Sequence, residues 1–170
     1  MMDVKQWASL KKTVGNLIQI IMNTYTEKIS DNLNALLEKT YDAEKGFHTA
    51  AENTEHAGLK RYFERKSKER YNFGHELKSE IISFGGDIDK GGSITGTAHR
   101  TWMNVKAFFS MDNDESMLEE AITGEKAALE EYKEVLNDTN LPQSTHAILL
   151  KQKNTIEADL NTIKRLEDLK

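Results

Sequence analysis

The chain has 170 residues, enough for one domain with a buried core, and 38% of them are hydrophobic and 30% charged. A single proline and many Ala, Leu, Glu and Lys residues predict an all-α protein. The net charge of −5 argues against nucleic acid as a partner, and the absence of cysteine excludes disulfides, thiolate metal sites and cysteine nucleophiles.

Residues 1–28 form a separate leader in this interpretation, followed by one domain over residues 29–170. The leader carries Lys5, Lys11 and Lys12 and then a short apolar patch at residues 17–22, which is too short to span a membrane. We expect the leader to be either helical or disordered, with Met22 as an alternative natural start. Because no small-residue cleavage site follows the patch, we expect a cytoplasmic protein without a membrane span.

Two helices are predicted in the first half of the domain. Apolar residues recur at helical spacing over residues 31–53 and again over residues 59–84. A short break near residues 55–58 separates them, and Gly85 and Gly86 end the second helix. The short link predicts an antiparallel hairpin.

A glycine-rich connection at residues 85–96 and a short helix at residues 97–110 come next. Two further helices are predicted at residues 115–137 and 143–169, with a turn that ends at Pro142. Two hairpins joined by one long crossover are typical of the ferritin-like four-helix bundle. We expect this crossover to contain the short fifth helix.

Each predicted helix places a polar group in its apolar stripe at a similar height. Glu125 lies near the centre of the stripe of the third helix, where an unpaired carboxylate is costly. The residues expected to form one polar layer across the core are Glu44, Lys66, Arg70, Glu125 and Gln152.

The layer has two interpretations. In the first, Lys66 and Arg70 neutralise the carboxylates, and the layer fixes how the helices pack. In the second, Glu44, Glu69, Glu125 and Asp159 bind a pair of iron or manganese ions, with Tyr41 or Tyr132 as a redox neighbour. The Glu-x-x-His pairs of di-iron bundles do not occur in the sequence, and Lys66 is a cation where metal would bind. We therefore favour the structural interpretation, with no cofactor, over a metal site.

Several motifs resemble those of a known family. They are the run GGSITGTAHRTWMNVK from Gly91 to Lys106, DAEKGF from Asp42 to Phe47, FGHEL from Phe73 to Leu77 and the pair Gly124-Glu125. Together they resemble bacterial four-helix-bundle proteins of the ferritin-like superfamily that are classed as a domain of unknown function.

The resemblance implies a ferritin-like fold and an association with bacterial stress responses. Glu44, Glu125 and the cluster of His99, Arg100 and Trp102 match positions of the family motif. We expect a non-enzymatic protein that forms a homo-oligomer through a helix face. The alternatives are a di-metal protein that handles iron, oxygen or peroxide, and a module that binds a partner through His99, Arg100 and Trp102 on the crossover helix.

Overall fold

The computed structural model describes residues 4–88, 113–138 and 140–169. Within these ranges the chain is helical and contains no β-strand. The elements are α1 (Val4–Asn53), α2 (Ala57–Ser83), α3 (Asp114–Leu136), α4 (Gln143–Thr162) and a 3₁₀ turn (Leu166–Asp168). The prediction of an all-helical fold is confirmed at this level, whereas the predicted short helix at residues 97–110 lies outside the described residues.

Helix α1 begins much earlier than the predicted start at residue 31. It runs unbroken for 50 residues from Val4, so the leader is helical. No proline interrupts these residues, and apolar side chains recur in the leader at helical spacing. Residues 29–53 contain all of the buried positions of α1. The preceding part, residues 4–28, is mainly exposed and is called the N-terminal extension below.

Local side-chain and backbone contacts set the ends of α2. The Nδ1 atom of His56 accepts a hydrogen bond from the Leu59 N–H at 3.1 Å and caps the first turn. At the other end Gly85 has a φ of 71°, a left-handed conformation that glycine adopts at little cost. The Gly86 N–H then donates to the Ile81 carbonyl, which ends the helix.

Helix α4 ends at Thr162, although the sequence predicted a helix to residue 169. The chain becomes extended at Ile163, and the Asp168 carboxylate accepts hydrogen bonds from the backbone of Lys164 and Arg165. Ile163, Leu166 and Leu169 still pack against the core. They reach the core from a non-helical segment. The backbone N–H groups of Lys164 and Arg165, which would pair with carbonyl groups in a continued helix, donate to the Asp168 carboxylate instead.

Contacts between the helices fix their directions. Lys28 pairs with Asp138 and Thr54 with Asp114, so α1 and α3 are antiparallel. Between α2 and α4, Glu80 accepts a hydrogen bond from Thr145, whereas Lys66 contacts Asp159 at the far end of α4. These helices are therefore antiparallel too, and α2 and α3 run in the same direction.

The apolar core consists of two clusters that occupy opposite halves of the helix packing. One cluster includes Leu33, Phe73, Leu77 and Leu149. The other includes Phe47, Leu59, Phe63 and Met117. None of the helices in the described ranges has an apolar stretch that could span a membrane.

The turn after α2 gives a direct test of this packing. A Cβ atom on Gly86 would lie 2.3 Å from Ser30 Oγ and 2.8 Å from Ser30 Cβ, on a buried face of α1. We expect Gly86→Ala to lower the free energy of unfolding by about 1–3 kcal/mol, measured by urea denaturation.

The control is the same substitution at Gly124, which is exposed within α3 and has no neighbour within 4 Å of an added Cβ. Gly124→Ala should raise the free energy of unfolding by about 0.5–1 kcal/mol, because alanine loses less backbone entropy on folding. Equal effects at the two positions would contradict the close approach of residue 86 to α1.

Candidate functional site

A buried lysine lies between the two apolar clusters. Lys66 has a fully buried side chain, and its Nζ atom contacts carboxylates from three helices. It donates to Glu69 of the same helix, lies 2.8 Å from Glu125 Oε2 of α3, and donates to Asp159 Oδ2 of α4 at 2.9 Å. The contact with Glu125 is an ion pair without hydrogen-bond geometry. The ammonium group therefore joins α2, α3 and α4 at one level.

A second buried ion pair reinforces this junction. Arg70 and Glu125 are each 2% exposed, and the Arg70 guanidinium donates to Glu125 Oε1. The guanidinium also lies over the ring of Phe73, 5.3 Å from its centroid, where the ring face favours a cation. Glu125 thus has one cation at each carboxylate oxygen, as a buried carboxylate requires.

Arg65 completes the site from its edge, and the sequence interpretation missed it. Its side chain is half-exposed and donates two hydrogen bonds to Asp159, at 3.0 and 3.2 Å. Burial alone would raise the pKa of Asp159, but hydrogen bonds from Arg65 and Lys66 outweigh burial and lower that pKa. The position of Arg65 four residues before Glu69 was a signal for it, since such pairs meet on a helix surface.

These six side chains form what we call the ion-pair network. It contains three cations and three carboxylates, so it is neutral as a whole: Arg65, Lys66, Glu69, Arg70, Glu125 and Asp159. Breaking one buried contact leaves an uncompensated charge, whereas the intact network adds little net stability. Such an arrangement favours one relative position of the helices over others.

Glu44 was predicted to belong to this layer, but the structure does not bring it there. It lies on α1, between Tyr41 and Phe47 in the sequence, and is half-buried. Among the described residues, it forms no hydrogen bond or ion pair with Lys66 or Arg70. A height inferred from helical spacing does not determine which neighbour a side chain reaches.

Gln152 is also separate from the network, although the sequence placed it in the same layer. It lies between Leu149 and Ile156, inside one of the apolar clusters. Its side chain accepts from the Tyr132 hydroxyl at 2.7 Å and donates to Glu76 Oε2 at 2.8 Å. Burial raises the pKa of Tyr132 to about 12, so its hydroxyl remains a neutral donor. The core therefore has a second polar layer.

The geometry of the network does not fit a di-metal centre. Of the four proposed ligands, Glu69, Glu125 and Asp159 converge, but they do so on the ammonium group of Lys66. In the parts of the chain that the structure describes, no group of three or more His, Asp or Glu residues is arranged to hold a metal ion. His99, Arg100 and Trp102, the third predicted cluster, lie outside the described residues.

The contribution of the network to stability can be measured at Glu125. Replacement by Gln keeps the shape but leaves Arg70 without its closest carboxylate, so we expect a loss of about 3 kcal/mol in the free energy of unfolding. Urea denaturation gives this value. The control is Glu131→Gln on the same helix, because Glu131 pairs with the exposed Lys39 and should cost less than about 1 kcal/mol. A loss at Glu125 no larger than that of the control would be inconsistent with a buried ion pair.

The lowered pKa of Asp159 predicts acid sensitivity. A carboxyl group whose pKa is lower in the folded than in the unfolded protein stabilises the fold at pH values above its unfolded pKa, which is near 3.8. This stabilisation disappears as the pH falls through the folded pKa. We expect Asp159→Asn to be less stable than the native chain at about pH 6, and the difference to shrink as the pH approaches about 3. Unfolding free energies at both pH values test this, and a constant difference would refute it.

Comparisons with known proteins identify the family without assigning an activity. No curated protein matches the chain. A family model described as Domain of unknown function (DUF2383) matches residues 28–138, about two thirds of the chain, which include Lys66, Arg70 and Glu125. The N-terminal extension and α4 lie almost entirely outside the matched range. Because the match covers more than half of the sequence, the chain belongs to this family of domains of unknown function.

Proposed function

We propose that this protein is a non-enzymatic, ferritin-like helical bundle that forms a homo-oligomer in the bacterial cytoplasm. Its ion-pair network is a structural element that holds the helices in one alignment. The association with stress responses is part of the proposal and comes from the resemblance of its motifs to stress-associated bundles.

The position of Lys66 carries the proposal. A fully buried ammonium group contacts carboxylates on α2, α3 and α4, and this occupies the space between the carboxylates that a metal ion would need. Since the three cations of the network balance its three carboxylates, the network has no excess negative charge for a metal ion to neutralise.

The directions of the helices support the ferritin-like part of the proposal. Two antiparallel hairpins whose second and third helices run in the same direction require a connection along the length of the bundle. Contacts at both ends of α3 give this order: Lys28 meets Asp138 near the start of the bundle, and Thr54 meets Asp114 at the other end. A fifth helix within that connection stays a prediction.

The convergence of three carboxylates also keeps a di-metal protein as the rival function. If Lys66 can leave the site, Glu69, Glu125 and Asp159 supply the oxygen ligands that iron and manganese prefer. A ligand that binds the folded state raises its stability, by about 2.7 kcal/mol at a hundred times its dissociation constant. Metal binding would therefore raise the midpoint of thermal unfolding.

Metal content and thermal unfolding distinguish the two functions. Protein produced with excess iron or manganese should contain far less than one equivalent after dialysis, measured by inductively coupled plasma mass spectrometry. Added Mn²⁺ or Fe²⁺ should leave the midpoint of thermal unfolding unchanged. The matched control is Lys66→Met, which leaves the carboxylates without their central cation and should unfold at a lower temperature. Stoichiometric metal in the native chain, together with a raised midpoint, would establish the rival function.

A further inference from the structure

Helix α4 meets α2 along a seam in which polar residues recur every seven positions. The three contacts, from one end of the seam to the other, pair Thr145 with Glu80, Gln152 with the Phe73 carbonyl and Asp159 with Lys66. Each step of seven residues along α4 therefore matches a step of seven residues along α2 in the opposite direction. This is the repeat of helices that pack side by side in a coiled coil, but here the repeated positions of α4 are polar.

Few apolar side chains hold α4 in place. The structure describes every residue of this helix, and its buried apolar residues are Leu149 and Ile156, which alternate with the polar residues of the seam. Helix α3 buries a larger apolar set: Met117, Leu118, Ala121, Leu129 and Tyr132. The polar groups of the seam would bond to water if α4 left, so their hydrogen bonds add little net stability. Helix α4 is therefore held less firmly than α3.

The ion-pair network tolerates the departure of α4. Asp159 is the member of the network that α4 supplies. Without it, each cation keeps a carboxylate on α2 or α3: Lys66 keeps Glu69 and Glu125, Arg65 keeps Glu69, and Arg70 keeps Glu125. Departure of α4 also admits water to this side of α2, so no buried charge loses its last partner.

We infer that α4 is a releasable cover, which leaves the bundle as a unit while α1, α2 and α3 stay folded together. The release uncovers a side of α2 that carries Glu76 and Glu80, whose hydrogen-bond donors lie on α4. Helices with few buried apolar contacts are the elements that open locally, well below the free energy of global unfolding. The fold therefore contains a conformational device, and this inference does not rest on the proposed homo-oligomer.

Hydrogen exchange of the full native chain tests for a separate opening. After correction for intrinsic rates, amides of α4 at residues 149–158 should exchange at least about ten times faster than amides of α2 at residues 63–77, measured by mass spectrometry. Because release of one helix exposes less surface than global unfolding, exchange in α4 should also depend less on urea. Equal rates with equal urea dependence in the two helices would overturn the inference.

A substitution outside α4 separates its release from unfolding of the whole bundle. Gly86→Ala strains the contact with Ser30 on α1, and this contact persists when α4 leaves. The variant should therefore speed exchange of the α2 amides by about tenfold or more and leave exchange of the α4 amides unchanged. Equal acceleration in both helices would show that α4 opens only with the whole bundle, which contradicts a releasable cover.

A substitution within the seam tests what holds α4. Thr145→Val removes the hydroxyl that donates to Glu80 at 2.5 Å, so exchange of the α4 amides should become about five to ten times faster. The matched control is Thr155→Val on the same helix, because the Thr155 hydroxyl donates to the Lys151 carbonyl within α4. The control should change exchange by less than about twofold. An effect of Thr145→Val no larger than that of the control would refute the seam as the attachment of the cover.

Discussion

The packing of three helices in this protein depends on the burial of one ammonium group. Lys66 is 0% exposed, and an isolated charge at such a position would not be tolerated. It is accommodated only where Glu69, Glu125 and Asp159 all reach it, which fixes α3 and α4 relative to α2. A helix that slid by one turn would move its carboxylate by about 5 Å and leave a buried charge without a partner. In the proposed structural role, the ionic contacts act mainly on the specificity of helix packing.

The two apolar clusters on either side of the ion-pair network supply most of the stability of the core. Phe63 on α2 belongs to one cluster and Phe73 to the other, with Lys66 and Arg70 between them. Apolar contacts alone tolerate shifts of packing, because one methyl group can replace another at a similar cost. Charged groups at the junction remove this freedom, while most of the favourable free energy still comes from apolar burial. The two kinds of contact have different roles in the same core.

The sequence predicted the helical faces well because burial follows a simple period. Lys66, Arg70 and Glu125 lie on the same helical faces as apolar residues three to seven positions away, so their burial could be inferred. Glu44 was predicted at the same height, yet its contacts depend on the lateral position of α1, which a periodic sequence pattern does not determine. Arg65 was missed for the opposite reason, because a half-exposed residue at the edge of a stripe looks like an ordinary surface arginine. The early end of α4 depends on hydrogen bonds from the backbone of Lys164 and Arg165 to the Asp168 carboxylate, and helical periodicity does not predict such bonds.

The core of the bundle is closed, whereas the N-terminal extension of α1 is mainly exposed. In the part of the chain that the structure describes, each cation of the network meets a carboxylate. In the extension, α1 continues with the same helical period for about seven turns before its first buried residue, Ile29. The described part of the bundle leaves the large apolar residues on that length of helix exposed, whereas in the core the apolar faces are covered and the buried charges are matched.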